Sequence, residues 1–236
     1  MALLGVISGT IIVEKSNLLK NCRNVAIENE FGKSFAFVND KIALIPRHGN
    51  DPANHILPHS INSRANLKAL LDLGAAEVVG INSTGSLKSN LHPGMIVIPD
   101  DFILLAAAPA VHQNKAVHIT PSLNDKVRRK LITAAGNRGV PVIQQGTYWQ
   151  TIGPRLETKA EIRMMANYAD LVGMTMASEA VIAQELDLPY ASACSIDNYG
   201  NGLTEKPLSL EAILAGARKN ADLMIQLIQG YLELGS

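Results

Sequence analysis

Cysteine is scarce in this chain. Cys22 and Cys194 are the two in 236 residues, and they lie far apart. That argues against a disulfide scaffold and offers no metal-ligand spacing. A reducing, cytoplasmic setting is the natural expectation. Net charge is lacking too, since 21 basic side chains balance 21 acidic ones. A phosphate backbone calls for a basic face, so nucleic acid is not the expected partner. No apolar window reaches the length of a membrane span, so no membrane is expected either. Met1 to Ser8 is apolar but too short for a signal peptide, and it lacks a basic start. There is no internal repeat, no low-complexity tract and no Pro/Gly/Ser-rich linker. One domain over residues 1–236 is the expectation.

Nearly half the residues are hydrophobic, enough for a substantial core. Leu3 to Ser8 predicts a buried strand. Residues 35–38 and 42–45 predict two strands, with Asn39-Asp40 suited to the turn between them. Ile61 to Leu73 predicts a helix closed by Gly74. A strand over Ala76–Ile81, a turn and strand over 91–99 and a loop over 104–120 follow. Ser122 is the predicted N-cap of a helix to Gly136. Pro141–Ile152 predicts a strand, Lys159–Tyr168 a helix, Asp170–Thr175 a strand and Ala180–Leu186 a helix. Pro189–Ile196 predicts a strand, and Ser209–Leu232 a helix with one apolar stripe. Strands alternating with helices make an α/β domain around a central sheet.

Polar residues gather where these strands end. Ser8-Gly9-Thr10 makes a turn able to cradle an anion, though without a P-loop pattern, and an ordinary strand end fits equally well. Arg47-His48-Gly49 follows a strand and could clamp an oxyanion, with Arg47 as a bidentate fork. A lone histidine is more often structural. His55 and His59 stand four apart, but metal ligation at that spacing needs a helix, which Pro58 opposes; no metal is expected. Asn82-Ser-Thr-Gly-Ser86 forms another polar end. In Gly146 to Thr158, a β-type run breaks on Gly153-Pro154 and delivers Arg155 and Glu157 before a helix. Taken alone, a surface loop with an Arg–Glu pair and a Thr158 cap fits that stretch as well. Met174-Thr175 and Asp197-Asn198 complete the set. In open α/β folds, ligands sit beyond the carboxyl ends of strands, so these ends together predict one site.

Taken in order, Gly5-Val-Ile-Ser-Gly-Thr10, Arg47-His48-Gly49, Pro58 to Asn66, Asn82 to Ser86, Gly153 to Thr158, Gly173-Met-Thr175 with Glu179, and Asp197-Asn198 resemble the trimeric purine nucleoside phosphorylase family. That family includes methylthioadenosine and methylthioinosine phosphorylases. The resemblance spans almost the whole chain. It implies a single α/β domain around a mixed, distorted sheet, and homotrimers or dimers of trimers with sites near subunit interfaces. It implies phosphorolysis of a purine nucleoside to free base and a ribose 1-phosphate. Inorganic phosphate is then the co-substrate, and no metal or organic cofactor is needed. Thr10, Arg47, His48, Ser83 and Thr175 match the phosphate-binding positions, with Thr84 and Gly85 beside them among the substrate-binding residues. Met174 matches the position that packs on ribose. His48, Glu157 and Asn198 are the implied catalytic set.

The base end separates family members. An Asp at the strand end suits 6-aminopurines, whereas an Asn there, with a Glu on the Gly-Pro loop, suits 6-oxopurines. Asn198 and Glu157 imply a 6-oxopurine nucleoside: methylthioinosine, inosine or guanosine. Adjacent Asp197 keeps a methylthioadenosine phosphorylase open, because a one-residue shift would put it in the reading position. Leu210, where ordinary nucleoside phosphorylases carry a histidine, implies a 5′-methylthio group, although a plain core role for Leu210 fits as well. The chain departs from the family at Ile11, where a glycine is usual, at Ser178, where proline is common, and in a longer loop at Asn50–Asn54. A nucleosidase using water and a binding protein without turnover remain competing readings.

Overall fold

The computed structural model describes residues 2–9, 17–106, 109–112, 114–205 and 207–234. Thr10 and Ile11 lie outside the described residues. The strands are β1 (Leu3–Ser8), β2 (Arg23–Asn29), β3 (Gly32–Val38), β4 (Ile42–Pro46), β5 (Ala75–Ser86), β6 (Ile96–Val97), β7 (Asp101–Leu104), β8 (Val142–Ile143), β9 (Thr147–Gln150), β10 (Leu171–Gly173) and β11 (Tyr190–Tyr199). The helices are α1 (Ser63–Asp72), α2 (Asp125–Asn137), α3 (Lys159–Met165), α4 (Met176–Glu185) and α5 (Leu210–Glu233).

All these strands join one mixed sheet, in the order β2-β3-β4-β1-β5-β10-β9-β7, with β11, β6 and β8 branching from β5. Side chains alternate across it, so neighbours in one strand serve opposite faces. Val6 and Val79 meet α2 and α5 through Val127, Leu131, Met224 and Ile228. Ile7 and Val78 meet α1 and α4 through Leu67, Leu70, Ile182 and Ala183. Covering on both faces explains the unbroken apolar runs of the central strands. The predicted mixed, distorted sheet is the observed one.

Several boundaries differ from the sequence reading. The strand predicted over Ala76–Ile81 runs on to Ser86, because β11 pairs alongside it from Val78 to Ser86. The segment Arg23–Asn29 is a further strand, pairing antiparallel with β3. The helix predicted from Ser122 starts at Asp125, where Asn124 accepts from the Val127 amide. Ser122 instead donates its own amide to Gln184. The helix predicted from Ala180 begins four residues earlier, at Met176. Leu73 and Gly74 do end α1, with Gly74 at φ +86°, a conformation that glycine adopts without steric cost.

Candidate active site

The site is organised by a change of partner along one edge of β5. β1 runs parallel to that edge up to the pair Ile7–Gly80. β10 then takes the same edge in the antiparallel sense, from Val172–Gly85 onwards. The carboxyl ends of β1 and β10 therefore approach each other across Ile81 to Thr84. Such a switch point opens a crevice that a continuous ladder would close.

Arg47 lies behind this opening. It follows β4 directly and is 3% exposed. Nε and Nη2 form a bidentate pair with Glu179 of α4, at 2.7 and 3.2 Å. Nη1 donates to the Ile81 carbonyl at 2.7 Å and Nη2 to the Ile7 carbonyl at 3.0 Å. Four of its five N–H groups are thus committed inside the protein. The bidentate fork expected to face an anion is spent on Glu179, with one Nη1 hydrogen left over. Arg47 fastens the ends of β1 and β4 and the middle of β5 to α4. Tyr190 completes the buried cluster by donating to Glu179 Oε2 at 2.8 Å.

His48 follows Arg47 and is half-buried. Its Nδ1 meets the Ile56 carbonyl at 2.7 Å, and a carbonyl only accepts, so this nitrogen carries the hydrogen. Burial, with Arg47 and His55 nearby, lowers its pKa to about 4 against the pull of that carbonyl. The ring is neutral at pH 7, with Nε2 as a lone-pair acceptor. His55 stacks on it, ring centroids 4.6 Å apart and planes 10° apart.

Along the β5 opening, Ser83 is exposed while Asn82 and Thr84 are buried. The Thr84 hydroxyl hydrogen is taken by the Ser195 carbonyl at 2.8 Å. Gly85 matters by its lack of a side chain. A Cβ there would lie 3.1 Å from Asn198 Nδ2 and 3.2 Å from Val172.

After β10 come Met174 and Thr175, both half-buried. Gly153, at φ +69°, packs on Met174 so closely that a Cβ would fall 2.5 Å from its sulfur and 3.4 Å from Pro58. The peptide Gly153–Pro154 is cis. The Gly-Pro loop is thus laid against Met174 and the segment at Pro58. Glu157 is buried at 7% exposure, accepts from Thr151 Oγ1 at 2.6 Å, and has its carbonyl held by Asn201 at 3.1 Å. Thr151 is itself anchored through its amide to the Gly173 carbonyl, so Glu157 is fixed to the end of β10. Arg155 turns outward and pairs bidentately with Glu161, at 2.7 and 2.8 Å. Glu161 also closes the capping box with Thr158 at the start of α3.

A bulge between Ile196 and Asn198 separates the two candidate base readers. Asn198 is half-buried opposite Gly85, and its Nδ2 donates to the Tyr199 carbonyl at 2.9 Å. Asp197 is 3% exposed, and its Oδ1 accepts from Asn220 of α5 at 2.7 Å. Burial raises the Asp197 pKa, countered by Ser83, Asn220 and Ser195. Leu210 opens α5 with 68% of its surface exposed.

The structure therefore collects Arg47, His48, Ser83, Thr84, Gly85, Met174, Thr175, Glu157 and Asn198 around one sheet opening. A family model described as the phosphorylase superfamily matches residues 4–233. The chain belongs to the phosphorylase superfamily. This superfamily member is 37% identical over 232 residues to a probable 6-oxopurine nucleoside phosphorylase of Archaeoglobus fulgidus, covering 96% of this chain and 94% of the relative. It is 34% identical over 244 residues to a probable S-methyl-5'-thioinosine phosphorylase of Methanocaldococcus jannaschii, covering 99% and 93%. In fold it matches a methylthioadenosine phosphorylase from Schistosoma mansoni, with a TM-score of 0.90 at 24% identity, over 99% of this chain and 91% of that one.

Sequence reasoning missed Tyr148, Ser192 and Asn220, and named Asn82 only as part of a polar strand end. Tyr148 is fully buried in β9, and its hydroxyl accepts from the amides of Thr175 and Met176 at 3.2 and 3.4 Å. Nothing local distinguishes it from any aromatic strand residue. Its partners are 27 and 28 positions away.

Proposed function

We propose that this phosphorylase superfamily member cleaves 6-oxopurine nucleosides with phosphate, releasing free base and a ribose 1-phosphate. The observation that carries the base preference is the bulge in β11. It leaves Asn198 at the opening and turns Asp197 towards Asn220. A neutral amide can donate to O6 and accept from N7–H, and Glu157 can accept from N1–H. Adenine has no hydrogen at N1, so the carboxylate oxygen facing it would lack a partner even though Thr151 holds the other, a cost of several kcal/mol. The names of the two sequence relatives support the same preference.

In the reaction a phosphate oxygen forms a bond to the anomeric carbon as the bond to the purine nitrogen breaks. The electron pair moves into the base, which takes up a proton from solvent at N7. Donors beside the departing base favour that charge only as it develops. The Thr175 and Ser83 hydroxyls are the proposed phosphate donors, joined by Thr10 as the family resemblance implies. His48 contributes as a neutral acceptor at Nε2. Met174 packs on the sugar. Leu210 favours a 5′-methylthio substituent over a hydroxyl, which makes methylthioinosine the leading substrate. Phosphate is the co-substrate and no cofactor enters.

The same reading includes a homotrimer, to which exposed Leu105, Ile152 and Tyr168 lend apolar surface. It includes a cytoplasmic setting, supported by two free cysteines. Among the described residues no helix is long and apolar enough to cross a membrane, and no group of three His, Cys, Asp or Glu could hold a metal.

The test is base release from inosine, guanosine, methylthioinosine, adenosine and methylthioadenosine, with and without phosphate. Phosphate-dependent cleavage favouring the 6-oxopurines is expected, with Asn198→Asp moving the ratio towards 6-aminopurines. Base release without phosphate would make the protein a nucleosidase. Cleavage of methylthioadenosine but not methylthioinosine would overturn the base assignment.

A further inference from the structure

Thr175 stands at the N-cap of α4 with φ −140° and ψ −35°, yet its side chain caps nothing. Three of the amides that an anion would ordinarily meet here, those of Thr175, Met176 and Ser178, are already occupied. Tyr148 accepts from Thr175 and Met176, and Gln150 Oε1 accepts from the Ser178 amide at 3.0 Å. The Thr175 hydroxyl remains at this end of the helix.

Asn82 decides how that hydroxyl is used. It is 1% exposed on β5, and its Nδ2 donates to Thr175 Oγ1 at 2.8 Å. An amide nitrogen only donates, so the single Thr175 hydrogen must point away from Asn82. Among the described residues no protein acceptor takes it. The orientation of Asn82 is fixed in turn by Ser192, which is fully buried on β11 and lies 2.7 Å from Asn82 Oδ1. The alternative acceptor for Ser192, the Gly80 carbonyl, is farther off at 3.1 Å. Ser192 therefore donates to Asn82, and Asn82 to Thr175.

We propose that Ser192 and Asn82 form a buried relay that presents the Thr175 hydroxyl hydrogen to the phosphate co-substrate. Neither relay residue touches phosphate. Both are positioning residues that act through Thr175. The proposal rests on the phosphorylase reading above and adds the device that orients one of its donors.

The test is steady-state kinetics at saturating methylthioinosine or inosine, whichever the wild type prefers, with phosphate varied. Asn82→Ala should raise the phosphate KM roughly tenfold, the worth of one hydrogen bond to a charged group, and change kcat less than about threefold. The nucleoside KM should stay as in the wild type. Thr175→Val should give a similar rise, and the double variant should be no worse than Thr175→Val alone, because the relay acts only through that hydroxyl. A general packing defect would not vanish in that background. Ser192→Ala should shift the same constant by roughly threefold and serves as the test should Asn82→Ala not fold. Full additivity of Asn82→Ala and Thr175→Val would overturn the relay. So would a phosphate KM unchanged in both Asn82→Ala and Ser192→Ala. A wild type that releases base without phosphate would instead overturn the phosphorylase reading, a separate outcome.

Discussion

At His48, one ring nitrogen sits on the Ile56 carbonyl and the ring lies under His55. Its pKa is lowered to about 4, chiefly by burial, against about 6.5 in an unfolded chain. Between those values the unfolded state binds the proton and the folded state does not. The contribution of His48 to stability is therefore fully present above about pH 6.5 and is lost as pH falls towards 4. Urea unfolding from pH 7 to pH 4 should show falling midpoints, and His48→Gln should flatten that slope. An identical slope in the variant would show that His48 does not titrate in this window. Asp197 acts with the opposite sign. Its raised pKa makes ionisation costly in the fold, so its contribution is lost as pH rises. The residue types of the site were legible at this scale: Arg47, His48, Glu157, Thr175 and Asn198 all stand at one opening. Their states were not. The neutrality of His48 and the internal pairing of Arg47 depend on burial and on partners such as Glu179, 132 positions away.

α5 is held to the site strand by a close approach at Gly216. A Cβ at that position would lie 2.0 Å from the Asp197 carbonyl oxygen. One turn later, Asn220 donates to both the Ile196 carbonyl and Asp197, at 3.0 and 2.7 Å. Gly216→Ala must push the helix off the bulge, an overpacking cost of about 1–3 kcal/mol. Chemical denaturation should show that loss, and an unchanged midpoint would mean the bulge yields freely. The apolar stripe of α5 was readable from spacing alone, because a 3.6-residue period is a local property. The bulge was not, since it arises from the pairing of β11 with β5. The same reason explains the start of α4. Met176 joins the helix because Tyr148, on another strand, accepts the amides at its beginning.

Across the whole molecule, several large apolar side chains face outward, among them Leu105 at 77%, Tyr168 at 69% and Ile152 at 62% exposure. Ile152 sits in the loop that carries Glu157 and Tyr168 just beyond α3, so an assembly covering them would brace the base-binding wall. Light scattering should give about three times the 25.3 kDa of one chain, or twice that for a dimer of trimers. A mass of one chain would exclude the assembly and leave those side chains unexplained. By itself the sequence determined the class of fold, most of the elements in their order and the polar residues at strand ends. Each of these follows from local periodicity, turn chemistry or the spacing of motifs. Tertiary structure alone decided which of those residues face the opening. β5 exchanges β1 for β10 along one edge, and the bulge in β11 sends Asp197 to Asn220 and Asn198 to Gly85. Those outcomes depend on pairings between strands more than a hundred positions apart, as Tyr190 with Val78, where no local pattern reaches.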